Sequence, residues 1–134
     1  MTDRMRRTRF AASALVGCVS LLALAASPAA ASAEGCTGNP GSTDGSGSVC
    51  LNVKGTKLKV NKFTLDKQSN NRAWKDKPVV TAGKWKWTGA TVSARRVEDK
   101  KVTKTINKSF PNNTRMCGYW SKYPGTKACI TIHN

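Results

Sequence analysis

The sequence predicts an all-β fold, a small antiparallel β-sandwich of immunoglobulin-like type held by two disulfides. Apolar residues recur at period two in several short segments, and no stretch sustains the i, i+3, i+4 spacing of an amphipathic helix. The wealth of Thr, Val and Trp suits a pleated, half-buried surface. Six or seven short strands then fit into about 85 residues, the size of such a sandwich.

The first element is an address. Arg4, Arg6, Arg7 and Arg9 form a basic stretch, Phe10 to Ala26 is apolar and uncharged, and Ala31-Ser32-Ala33 supplies a small-x-small cleavage site. Residues 1–33 read as a signal peptide cut before Glu34. The apolar run is Ala-rich and leads straight into the cleavage site, which favours secretion over a retained membrane helix, so no transmembrane span remains after processing. Arg6-Arg7 invites a twin-arginine reading, but Phe10 stands one place too far along. Leu15-Val16-Gly17-Cys18 resembles a lipobox, yet the apolar stretch runs on beyond Cys18, where a lipobox would close it.

Without the leader's four arginines and one aspartate, the 23 basic and 7 acidic residues become 19 and 6, a net charge of about +13 on 101 residues. Only 16 of these are Leu, Ile, Val or Phe, a composition that borders on disorder. Trp74, Trp85, Trp87 and Trp120 answer that by adding large buriable area, and four cysteines add cross-links. Cys36, Cys50, Cys117 and Cys129 are an even set once Cys18 leaves. Closeness in the chain favours Cys36 with Cys50 and Cys117 with Cys129, each loop worth roughly 3 kcal/mol. A four-cysteine metal site is disfavoured by the absence of Cys-x-x-Cys spacing and by oxidising export, and no metal or cofactor is expected.

Residues 34–50 are Gly- and Ser-rich with no Lys or Arg, and read as a disulfide-tethered N-terminal loop; residues 51–134 form the sandwich domain. Leu51 and Val53 alternate with polar neighbours, then Leu58 and Val60, then Phe63 and Leu65 with the parity changed, which predicts a bulge near Asn61. Gln68 to Lys77 is polar around Trp74. Pro78-Val79-Val80 opens the next segment, and strict alternation over Lys84-Trp85-Lys86-Trp87 puts both indoles on one face. The core is so poor in aliphatics that these indoles are expected inside it. Val92 and Ala94 alternate next, Glu98 to Lys101 is a charged turn, and Val102, Lys104 and Ile106 share a face opposite Thr103 and Thr105.

The C-terminus is the best-defined piece. If Cys117 faces Cys129 across an antiparallel pair, Met116 faces Ile130, Gly118 faces Ala128 and Thr114 faces Ile132, all on one side. Arg115, Tyr119, Lys127, Thr131 and His133 fall on the other. The intervening Pro124-Gly125 turn signal would set another register if it formed a two-residue loop, so this pairing demands a longer loop or a bulge.

Enzyme chemistry finds little support. His133 sits next to the C-terminus on the solvent side, with no marked nucleophile or orienting carboxylate. Asp44, Asp66, Asp76, Glu98 and Asp99 read as solvated counter-charges in loops or turns rather than a paired acid and base. Gly41 to Gly47 is not followed by the Lys-Ser or Lys-Thr of a phosphate-cradling loop. No catalytic residue is named.

Charge with aromatics remains. Lys54, Lys57, Lys59 and Lys62 recur on one segment, Lys84 and Lys86 on a second, and Arg95, Arg96, Lys100, Lys101, Lys104 and Lys108 on a third. A surface so positive draws polyanions. The plainer reading is that Lys fills outward strand positions, blunting edges and keeping the domain soluble.

Gly35-Cys36-Thr37-Gly38, the run Phe110-Pro111-Asn112-Asn113-Thr114 followed by Cys117, and Ala128-Cys129-Ile130-Thr131-Ile132 give the chain its family resemblance. It resembles small secreted, disulfide-containing proteins of actinomycetes, Streptomyces-like. The resemblance touches both ends of the mature chain, not its Lys-rich middle. It implies turns and disulfides, and no activity or catalytic residue to carry over.

The functional expectation is a secreted cationic β-domain, not an enzyme, attached electrostatically to anionic cell-wall or matrix polymers of a Gram-positive cell. No specific nucleic acid is expected. A diffusible effector, antimicrobial or inhibiting an extracellular protein through loop 36–50 or turn 121–126, is the alternative.

Overall fold

The computed structural model describes residues 32–69 and 72–134. The expected signal peptide, with Cys18, falls almost wholly on residues 1–31 and lies outside the described residues. Among the described residues there is no helix, and the strands are β1 (Ala33–Gly38), β2 (Ser48–Thr56), β3 (Lys59–Gln68), β4 (Trp74–Asp76), β5 (Pro78–Ala82), β6 (Trp85–Thr88), β7 (Val92–Ala94), β8 (Lys100–Ser109), β9 (Thr114–Trp120) and β10 (Ala128–Ile132). They form two four-stranded sheets, ordered β1-β2-β3-β8 and β10-β9-β5-β6, with β4 and β7 as a separate pair. Every pairing is antiparallel.

Period two builds the core. Val49, Leu51 and Val53 of β2 and Phe63 and Leu65 of β3 point to one side of the first sheet; Val80, Ala82, Met116, Trp120, Ala128, Ile130 and Ile132 do so from the second. All belong to a single buried cluster. Each of the larger side chains, Val, Leu, Ile, Phe or Met, stabilises the fold by about 1.5–3 kcal/mol through burial. Gly118 has a steric reason: a Cβ there would lie 2.4 Å from Leu65 Cδ1.

The expected bulge at Asn61 is present, for Lys54 pairs with Lys62 and the next residue, Gly55, with Val60, which leaves Asn61 as the extra residue of β3. It lets Val60 and Phe63 both face inward although three positions separate them. At the C-terminus Cys129 pairs with Cys117, Ile130 with Met116, Ala128 with Gly118 and Ile132 with Thr114, the expected register. Two successive turns, Tyr123 N–H to Trp120 C=O (2.8 Å) and Thr126 N–H to Tyr123 C=O (3.0 Å), supply the longer connection that register demands. Both disulfides join the expected partners.

The N-terminal segment departs from expectation. Ala33–Gly38 is strand β1, paired along its length with β2, so the Cys36–Cys50 disulfide links neighbours in a hairpin and residues 39–47 alone form the loop. Glu34-Gly35-Cys36-Thr37-Gly38 holds no large apolar residue; backbone pairing and the disulfide fix it, and neither writes a hydrophobic pattern. β1 also closes one side of the molecule against β10, where a Cβ on Gly35 would stand 2.3 Å from the Cys129 carbonyl oxygen. The strand order leaves β8 and β6 as the remaining sheet edges.

Candidate polyanion-binding surface

The twelve basic residues of the three expected groups fall in three places. Lys54 and Lys62 are opposite one another on the outer face of the first sheet, with Lys57 in the β2–β3 turn and Lys59 at the start of β3. Lys84 occupies the two-residue β5–β6 turn behind Gly83, whose φ of +58° matches the primed turn such a hairpin prefers. Lys86 follows on β6, opposite Thr81.

The third group lies along an edge. Arg95 and Arg96 sit in the turn before β8, which an Arg95 N–H to Glu98 Oε2 bond (2.7 Å) and a Glu98 N–H to Arg95 C=O bond (3.2 Å) close. Within β8, Lys101 pairs with Asp66 and points outward, while Lys100, Lys104 and Lys108 pair with Lys67, Phe63 and Val60 and so lie on the core side of the strand. Three lysines thus occupy inward positions of an edge strand beside the half-buried Val102 and Ile106. The structure brings the third group together and continues it across to Lys84; the Lys54–Lys62 group adjoins it through the β3–β8 ladder, where Lys62 pairs with Thr105 and Lys59 with Ser109.

Few acids oppose this charge. Glu98 meets Lys100 at 2.6 Å, and the bond from the Arg95 amide, with help from Lys100, holds its carboxyl below the usual range. Asp66 moves the other way: burial raises its pKa against the Cys50 amide bond (3.0 Å) and the nearby Lys101. The expectation of five solvated acids in loops or turns fails for Asp66, half-buried within β3, and for Asp76, which is 3% exposed on β4 and accepts bonds from the Lys77 N–H, the Ser121 hydroxyl and the Lys122 N–H. It ties β4 to the loop after β9. His133 is exposed at the end of the chain, its Nδ1 by the carbonyl of Asn134. Glu34 lies beside Cys36 and Cys50, but those sulfurs form a disulfide and are not thiolate ligands.

The tryptophans divide. Trp74 and Trp120 are buried against each other at 4.8 Å. Trp85 and Trp87 are only half-buried, because β6 is an edge strand; they pack on Phe63 at 6.4 and 5.3 Å, and Trp85 on Phe110 at 5.7 Å. Two clefts border the basic edge. One of about 760 Å³ lies along Ser93 to Arg96, Glu98 and Lys100. The other, of about 610 Å³, lies between the β5–β6 and β8–β9 turns, with Trp85 and Phe110 in its wall and Lys84 and Lys108 at its rim.

The two loops considered as insertable elements touch one another: Tyr123 donates to the Asp44 carbonyl (3.1 Å), and Gly45 is buried beside the Tyr123 hydroxyl. Sequence reasoning missed Lys67, which is fully buried with its Nζ 4.7 Å from the Trp74 ring and 4.4 Å from Tyr123. The signal was available, since Phe63, Leu65 and Lys67 share one parity. Neither known protein families, nor curated proteins, nor solved structures give a match to the chain.

Proposed function

We propose that the protein is a secreted, non-enzymatic cationic domain of immunoglobulin-like sandwich form that attaches by charge to anionic cell-wall or matrix polymers of a Gram-positive, actinomycete-like cell. Two antiparallel sheets around one core and a disulfide in each sheet support the fold and the oxidising compartment. The observation that carries the binding reading is the β8 edge. It presents Lys100, Lys101, Lys104 and Lys108 on both sides of one strand, continues into Arg95 and Arg96, and holds a single ion pair among the described residues. An extended polyanion laid along this ten-residue strand meets four lysines and releases its counterions.

The test is co-sedimentation with purified Gram-positive cell walls over a salt series, with and without teichoic acids. Binding that falls linearly on a log–log salt plot, and falls again when teichoic acids are stripped, is the expected result. No binding at low salt rejects the proposal.

A further inference from the structure

The cleft between the β5–β6 and β8–β9 turns has a composition that charge alone does not require. Its wall is aromatic: Trp85 and Phe110 stand with ring centroids 5.7 Å apart and planes 72° to each other. Lys84 and Lys108 flank the rings, Ser109 and Thr114 add hydroxyls, and no carboxylate lines it. The parts are held firmly. Phe110 is 5% exposed and its N–H donates to the Leu58 carbonyl (3.0 Å), while the Thr114 hydroxyl and N–H both donate to the Pro111 carbonyl (2.7 and 3.2 Å). That leaves the Thr114 oxygen's lone pairs for an incoming donor.

We propose that this cleft is a subsite for one acidic sugar residue of an anionic saccharide chain; the inference rests on the charge-attachment reading and names the ligand class for one end of the β8 edge. Half-buried Trp85 is the ring that offers a face, which suits the apolar C–H face of a puckered sugar ring, while buried Phe110 backs it with Lys108 Nζ 5.9 Å over its ring. A small number of polar groups around an apolar floor is the usual composition of a small-ligand site. Here two ammonium groups select an acid substituent and two hydroxyls meet sugar hydroxyls. About 610 Å³ accommodates one or two pyranose rings.

The experiment is a calorimetric titration of the oxidised protein with tetragalacturonate, with a neutral tetrasaccharide of matched length, and with linear polyphosphate, alongside wall co-sedimentation. The uronate is expected to bind at least about tenfold tighter than the neutral sugar and to shift tryptophan emission, which polyphosphate leaves unchanged. Lys84→Gln with Lys108→Gln, both surface positions, should cost about tenfold in uronate affinity and lower its salt slope by about two, while wall sedimentation persists. Trp85→Leu should weaken the uronate and the neutral sugar alike and abolish the emission shift, whereas the lysine pair removes the preference over the neutral sugar. Uronate binding no tighter than that of polyphosphate, or unaffected by the lysine pair while walls still bind, overturns the subsite and leaves wall attachment standing. Loss of binding to walls and to every probe overturns both.

Discussion

Lys67 concentrates the cost of a polar group in a small core. Its ammonium is fully buried, has no hydrogen-bond acceptor, and lies between the rings of Trp74 and Tyr123. Ring faces attract a cation, with a contribution of about 0.5–2 kcal/mol. Desolvation still dominates: burial depresses the Lys67 pKa below its ordinary 10.5, Lys122 adds to this, and the attraction of Asp76 and Asp44 restores only part. A lysine with a depressed folded pKa binds fewer protons folded than unfolded between that value and 10.5, so native stability rises with pH through this window. Below it both states are protonated and the deficit is constant. Lys67→Met keeps the stem and deletes the charge. Urea midpoints of the two proteins from neutrality to pH 10.5 should show the native chain gaining on the variant as pH rises. A constant or widening gap would mean that burial does not penalise the ammonium.

Among the elements, the β9–β10 hairpin shows how much a disulfide register can carry. One assumption, Cys117 opposite Cys129, sorts Met116, Ile130, Ala128 and Ile132 inward, because strand parity ties every side chain to one pairing. The Asn61 bulge was legible for the same reason. β1 was not, since its residues bear no apolar pattern, and β4 was not, since Trp74-Lys75-Asp76 is too short to show a period and its buried Asp76 looks like a solvated acid. Of the candidate site, the basic residues were legible as types, but which of them lie along an edge strand depends on sheet order, which no local pattern writes. Two expectations follow at this scale. Replacing Cys117 and Cys129 together by Ser should lower stability by about 3 kcal/mol, read from the denaturant midpoint, because a 12-residue separation is released in the unfolded chain. A loss under about 1 kcal/mol would mean that sheet pairing alone fixes the register. The inward lysines of β8 should also act as guards, for an edge strand of ten residues is a template for another chain. Lys104→Val with Lys108→Val should retain the fold and bind more apolar dye, yet sediment as larger species at raised concentration. A variant that stays monomeric would leave those lysines to ligand binding alone.

At the scale of the whole molecule, the question is whether a long-range field or a local edge attracts the polyanion. Both give a positive surface and salt-sensitive binding, so net charge cannot separate them. Two lysine sets of equal charge can. Lys54, Lys57, Lys59 and Lys62 cluster at the β2–β3 hairpin, and Lys100, Lys101, Lys104 and Lys108 run along β8. Changing either set to Gln removes the same four charges from side chains on the surface and leaves the buried cluster untouched. A field acting through net charge predicts equal losses in wall binding for the two variants. Contact along the edge predicts that the β8 set lowers the log–log salt slope by up to about four, one for each cation withdrawn, while the hairpin set slows association with little change in slope. Co-sedimentation at several salt concentrations, with circular dichroism to verify that both variants keep their strands, separates the two. Equal slopes would assign attachment to the domain's charge as a whole and leave β8 as a guarded edge.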